Sequence, residues 1–292
     1  METKEHKAII YEKDGPIARI ILNRPEAANA QSSDMVWEIE EALKDAQNDY
    51  NIKVLIFKAN GKGFCSGHDL SPEPGKMPYE EFQESADAGY FMEGTLRLFL
   101  WPVLNLLEFQ KPTVCAVNGY CIGGGTYFAL SNDIVIASED AYFQMPLPQG
   151  FALPGGETMI EPWNFMNMHR TYEYLYLSST LNAQEAKEQG LVNRVVPADK
   201  LELEAEIVAW QIAEAPLSVL MNIKAGVKAA FEGMGMRNHI QGHLPRMQVC
   251  SDSADTLEWR KENVEKGYGF LPRKVVKARN EHGEEEARAR FS

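Results

Sequence analysis

Two glycine-rich stretches carry the residues best suited to chemistry. One is Gly61-Lys62-Gly63-Phe64-Cys65-Ser66-Gly67-His68-Asp69-Leu70, and the other is Asn118-Gly119-Tyr120-Cys121-Ile122-Gly123-Gly124-Gly125. Glycine lets the backbone come close to a ligand and turn its N–H groups inward. Two such loops facing each other can hold one oxygen between two amides. That arrangement stabilises an enolate or a tetrahedral oxyanion. Gly124 is placed to open a helix, where unbonded N–H groups and the helix dipole favour negative charge.

The elements that must position these loops are legible in the flanks. Val54-Leu55-Ile56-Phe57 precedes the first loop and Thr113-Val114-Cys115-Ala116-Val117 the second, so both read as strand-to-loop turns. Ile17 to Leu22 reads as another strand, ended by Asn23-Arg24-Pro25. Met35, Val36, Ile39, Leu43 and Ala46 recur at helical spacing and predict a helix over 33–48, with Ser33 as its N-cap. The Pro- and Gly-rich run from Ser71 to Pro78 predicts an irregular connection into a helix over 80–108. A helix over 124–131 and strands near 133–137 and 141–144 follow. Alternating strands and helices imply an α/β core. From residue 198 the pattern turns helical. Leu201, Ile207, Trp210 and Ile212 fall in one helix and Leu217 to Phe231 in another, before a charged tail from Glu281 to Ser292.

Composition narrows the classes. A chain of 292 residues with 45% apolar content can bury a sizeable core. A formal charge of −13 argues against nucleic-acid binding through a general basic surface. No run reaches the roughly 18 apolar residues of a membrane span. Met1-Glu2-Thr3-Lys4-Glu5-His6 lacks the apolar stretch of a secretory signal, so a cytoplasmic protein is expected. Cys65, Cys115, Cys121 and Cys250 show no CxxC spacing and read as reduced thiols. His169, His239 and His243 have no metal-ligand spacing with nearby acids, and no metal is expected.

Five segments in order carry a resemblance. They are Asn23-Arg24-Pro25-Glu26-Ala27-Ala28-Asn29-Ala30, the stretch Phe64 to Leu70, the stretch Asn118 to Gly125, Asp133 to Ser138, and Ala183 to Asn193. Together the chain resembles the crotonase superfamily of enoyl-CoA hydratases and isomerases. The resemblance implies an α/β spiral of ββα turns as an acyl-CoA-binding core over 1–197. A C-terminal helical segment over 198–292 would serve trimerisation, giving a homotrimer or homohexamer. It implies no permanent cofactor, with coenzyme A entering as part of an acyl-CoA thioester substrate, and no nucleic-acid or membrane partner. It assigns the two oxyanion amides to His68 and Gly124. Arg24, Glu26, Ala28 and Lys62 fall near the nucleotide, with Ser66 and Leu70 meeting adenine and pantetheine through their backbone. Gly123, Leu147 and Gly155 fall along the acyl group, and Asp69 fixes the loop.

The acid–base groups depart from the hydratase pattern. The two glutamates of resembled hydratases fall here at Tyr127, three residues after Gly124, and at Leu147. Leucine transfers no proton, and tyrosine with an ordinary pKa near 10 is a poor base at neutral pH. Glu157, in Gly155-Gly156-Glu157, is the replacement candidate. The His68 side chain is a second, able to bond a carboxylate or thioester oxygen. Tyr127 is pocket wall or proton donor. Tyr90, Asp87 and Glu93 lie on the variable segment that covers the acyl site in the family. The reading is an acyl-CoA enzyme of the hydratase/isomerase type working through a thioester enolate. A decarboxylase, a carbon–carbon lyase or hydrolase, and a non-catalytic CoA-binding scaffold stand as alternatives.

Overall fold

A computed structural model of the chain describes residues 1–69, 96–156 and 158–264. The strands are β1 (Glu2–Glu5), β2 (Ile9–Asp14), β3 (Ile17–Leu22), β4 (Val54–Ala59), β5 (Thr113–Val117), β6 (Tyr120–Ile122), β7 (Ile134–Ser138), β8 (Tyr142–Gln144), β9 (Thr180–Asn182) and β10 (Arg194–Val196). The helices that frame the site are α1 (Ser33–Asn48), α2 (Trp101–Glu108), α3 (Gly124–Leu130), α4 (Leu147–Phe151) and α5 (Glu161–Phe165). After them come α6 (Met168–Leu177), α7 (Ala183–Glu188), α8 (Leu201–Ala213), α9 (Leu217–Gly233), α10 (Met236–Ser251) and α11 (Ala254–Val264).

The main sheet runs β1-β2-β3-β4-β5-β7-β10 and a smaller one runs β6-β8-β9. β1, β2 and β3 pair antiparallel, and β3 through β10 pair parallel. Parallel strands need both faces covered, and these strands show it. Leu55, Phe57, Cys115 and Val117 face one core with Met35, Ile39 and Phe128. Their neighbours Val54, Ile56, Val114 and Ala116 face a second core with Leu201, Ala205, Val208 and Ala209 of α8. The expected division at residue 197 thus falls just before a helix that closes the sheet's second face.

Several local readings are corrected. Ser32, not Ser33, caps α1: it is extended and its Oγ accepts the Met35 N–H at 3.2 Å. The C-terminal part of the helix expected over 80–108 is a π-helical turn, Leu96–Leu100, leading into α2 with Pro102 in its first turn. The rest of that helix and the tail lie outside the described residues. Tyr120–Ile122, read as loop, is a strand that pairs with β8.

Candidate active site

The first glycine loop is held from both sides by backbone. On one side Ser66 N–H donates to Ala28 O at 3.1 Å, Gln31 N–H to Gly67 O at 2.8 Å and Asp69 N–H to Gln31 O at 3.1 Å. On the other, Phe64 N–H reaches Asn118 O at 2.8 Å and Ile122 N–H reaches Cys65 O at 2.9 Å. Buried Asn29 reinforces the turn, its Nδ2 donating to Asn60 O and Gly63 O at 2.8 and 3.0 Å. Arg24 Nη1 donates to Asp69 Oδ2 at 2.9 Å and to Ala30 O at 2.7 Å. Asp69 is buried, so this pair acts as a strut under the His68 turn.

The two glycine loops meet in close contact. A Cβ on Gly67, whose φ is +99°, would lie 3.3 Å from the Gly124 nitrogen. A Cβ on Gly125 would lie 2.5 Å from the Cys65 carbonyl oxygen, a backbone atom that cannot swing aside. Glycine is therefore required at 125 by packing and at 67 by its left-handed backbone. Gly124 opens α3 with Gly123 as N-cap, where amides lack intrahelical acceptors. The Gly123 N–H itself donates to Gln144 O at 2.9 Å. The half-buried His68 imidazole sits 3.0 Å from where a Gly124 Cβ would be, and meets Phe99 edge to face at 4.2 Å. His68 and Gly124 are thus brought side by side at the mouth of one helix.

Around them stand the pocket-wall candidates. Tyr127 is buried, and its hydroxyl accepts the Gly156 N–H at 2.8 Å. Leu147 begins α4, packs against the core, and its carbonyl accepts the Leu153 N–H at 3.1 Å. Gly155 is buried with φ +115°. Glu157, Leu70, Asp87, Tyr90 and Glu93 lie outside the described residues. The sequence reading assigned no role to Glu161, which the structure buries at the start of α5. Burial pushes the Tyr174 phenol well up, and the nearby charge of Glu161 adds to it. A carboxylate followed by Pro162 is the ordinary signature of a helix start, which hid it.

Of the residues assigned to coenzyme A, Glu26 and Lys62 are exposed and Ala28 and Ser66 half-buried. Burial raises the Cys65 thiol to about 12 and holds Cys115 and Cys121 well above the ordinary thiol range, so none offers a thiolate near neutral pH. Among the described residues, no group of three His, Cys, Asp or Glu is arranged to hold a metal ion. Nor is any helix there long and apolar enough to cross a membrane.

Comparison with known proteins shows the family. A family model described as enoyl-CoA hydratase/isomerase matches residues 12–267. The chain belongs to the enoyl-CoA hydratase/isomerase family. A Mycobacterium bovis protein named "Probable enoyl-CoA hydratase" is 31% identical over 227 residues, 78% of this chain and 83% of its own. The crystal structure of an enoyl-CoA hydratase/isomerase from Xanthobacter autotrophicus Py2 aligns with a TM-score of 0.77 at 28% identity, covering 98% of this chain and 97% of that one. An enoyl-CoA hydratase structure from Mycobacterium smegmatis aligns with the same TM-score, 0.77, at 25% identity, covering 98% and 93%. Family membership makes the chain an enoyl-CoA hydratase-like protein with the crotonase fold expected from its motifs.

Proposed function

We propose that the chain converts an acyl-CoA thioester through an enolate held by the amides of His68 and Gly124. The observation that carries this reading is the close approach of the two glycine loops. Backbone bonds on both sides fix the His68 turn, and Gly125 has no room for a methyl group against Cys65. Preorganised amides at a developing oxyanion are worth roughly 10²–10³ in rate for each donor. The scaffold sets the first step, and other side chains choose between hydration, isomerisation and bond cleavage.

Tyr127 serves this site as wall. Its hydroxyl is engaged with Gly156, and its ring fills the space beside that glycine, where a Cβ would come within 2.1 Å. With leucine at 147, proton transfer falls to Glu157, which makes an enoyl-CoA hydratase-type reaction with an unconventional base the leading assignment. The placement of the His68 ring beside Gly124 favours a second reading, in which the imidazole binds a carboxylate lost as carbon dioxide. Coenzyme A enters as part of the substrate, with Arg24, Glu26, Ala28, Lys62, Ser66 and Leu70 along its path.

A trimer, or a dimer of trimers, is the assembly that the family resemblance implies, and exposed apolar side chains on the C-terminal helices support an interface there. Val219, Ile223 and Val227 form an exposed apolar stripe along α9, and Leu203, Ile207 and Trp210 are exposed on α8. Large apolar side chains left exposed at helical spacing favour a protein interface. Sedimentation of the purified chain checks it, and a monomer at micromolar concentration would refute it.

Incubation with a panel of enoyl, β-hydroxy, malonyl-type and β-keto acyl-CoA thioesters in deuterated water tests the chemistry. Mass spectrometry should find product or α-deuterium on one class. Tight binding across the panel with neither would leave a CoA-binding scaffold.

A further inference from the structure

The segment that follows α4 is bent against its own preferences. Ala152 and Met159 both adopt left-handed backbone, with φ of +52° and +41°, and Gly155 lies between them at +115°. Left-handed conformations cost free energy in residues with a side chain, and persist where the surroundings over-determine them. At Ala152 the restraint begins locally, where it caps α4 and its N–H and that of Leu153 both donate to Leu147 O, and three side chains from elsewhere add to it. Tyr127 of α3 takes the Gly156 N–H. His239 of α10 lies with Nε2 3.0 Å from Met159 O, its ring edge to face with Trp163 at 5.9 Å. Arg260 of α11 donates from Nε to Phe151 O at 3.1 Å, while its two other nitrogens bond Ser251 O and Oγ at 3.0 Å each.

The C-terminal helices thus hold both ends of this segment by its carbonyls. Ser251, the last residue of α10, ties the Arg260 contact to the helix that carries His239. Carbonyl acceptors fix what the opposing side chain must do. The imidazole presents Nε2–H to Met159, in the neutral Nε2–H tautomer or as the cation. Phe151 and Met159 are 109 and 80 residues from their partners, so the shape of the segment is written elsewhere in the chain.

We infer that His239 and Arg260 are positioning residues, which set the backbone of Phe151–Gly156 and Thr158–Ile160 and so the shape of the acyl-pocket wall. The clamp stands on geometry alone, and its link to the acyl group rests on the function proposed above. A loosened wall changes which acyl groups fit before it changes the chemistry, because the oxyanion amides sit on other elements.

The test compares H239Q with H239N. The glutamine amide reaches the place of Nε2 and keeps the donor, whereas asparagine is too short. Hydrogen–deuterium exchange read by mass spectrometry at Leu153 and Gly156 should accelerate roughly tenfold in H239N and in R260A, and stay near wild type in H239Q. Unchanged exchange in H239N and R260A, or equal acceleration in H239Q and H239N, would overturn the clamp. On a thioester that is turned over, H239N should raise KM several-fold with kcat less affected and reorder the preferred acyl lengths. An unaltered preference alongside faster exchange would sever the clamp from the pocket. Failure of every thioester as a substrate would remove the functional reading and leave the exchange result to decide the clamp.

Discussion

The two walls of the site are built in different ways. The proposed oxyanion side, from Ala28 to Gln31, Phe64 to Asp69 and Asn118 to Gly125, is fixed mostly by backbone-to-backbone bonds between neighbouring loops and by glycines that admit close contact. The other side, from Leu147 to Gly156 and Thr158 to Ile160, has local backbone bonds of its own but is tied to distant elements by the side chains of Tyr127, His239 and Arg260. Backbone bonds survive most substitutions, so a chemistry common to many substrates belongs on the first wall. Side-chain restraints change one residue at a time, which suits the wall that meets a variable acyl group.

That contrast can be broken where the first wall is tightest. Gly125→Ala should force α3 away from Cys65 and pull the Gly124 amide out of register with His68. A displacement of this kind should lower kcat by roughly 10²–10³ in steady-state assays on whichever thioester of the panel is turned over. The change should cost little in coenzyme A affinity. Retention of more than half the activity would mean that the approach of the loops is packing without catalysis.

Next in size is the strut beneath the His68 turn. Arg24→Ala strips a partner from buried Asp69 and should destabilise the fold by about 3 kcal/mol in urea unfolding. An effect below about 0.5 kcal/mol would show that Asp69 is supported without the guanidinium.

Tyr127→Phe separates wall from acid. Losing only a hydroxyl that accepts the Gly156 N–H should cost about 1–2 kcal/mol of stability and reduce kcat less than tenfold. A fall of 10²-fold or more with unchanged KM would instead give Tyr127 a proton-transfer role.

The smallest effect concerns how the clamping helices dock. Glu108 of α2 pairs with Lys228 of α9 and Arg237 of α10. Its pKa is lowered: burial acts to raise it, and the two cations outweigh that. A lowered carboxylate pKa contributes stability that is present above the ordinary carboxylate range and lost as pH falls through the folded value. Glu108→Gln should therefore cost about 0.5 kcal/mol near neutral pH, a discount that reflects partial exposure. The difference from wild type should vanish in unfolding curves taken below the carboxylate range. A constant difference at every pH would exclude the ion pairs as its source.

The same contrast explains what could be read before the structure. β4, β5 and α1 announced themselves, because buried parallel strands are continuous apolar runs and α1 repeats its apolar residues along one face. The glycine loops were legible because close approach leaves a mark in residue type. The N-cap slipped by one residue because two adjacent serines are equally suited and only backbone geometry separates them. The short helices α4 and α5, with Pro148 and Pro162 near their starts, are too brief to establish a helical period. His239 was weighed only as a metal ligand, since nothing local to it points to a carbonyl 80 residues away. Sequence patterns report burial and turns well, and report side-chain restraints between distant elements hardly at all.

The central claim is that two amides polarise a thioester carbonyl, and the carbonyl itself can report it. Isotope-edited Raman difference spectra of a ¹³C-labelled acyl-CoA thioester bound to the protein should show the carbonyl stretch shifted to lower frequency than in water. In Gly125→Ala the shift should largely disappear while the ligand remains bound. A bound carbonyl at its frequency in water, in the wild-type protein, would contradict the account.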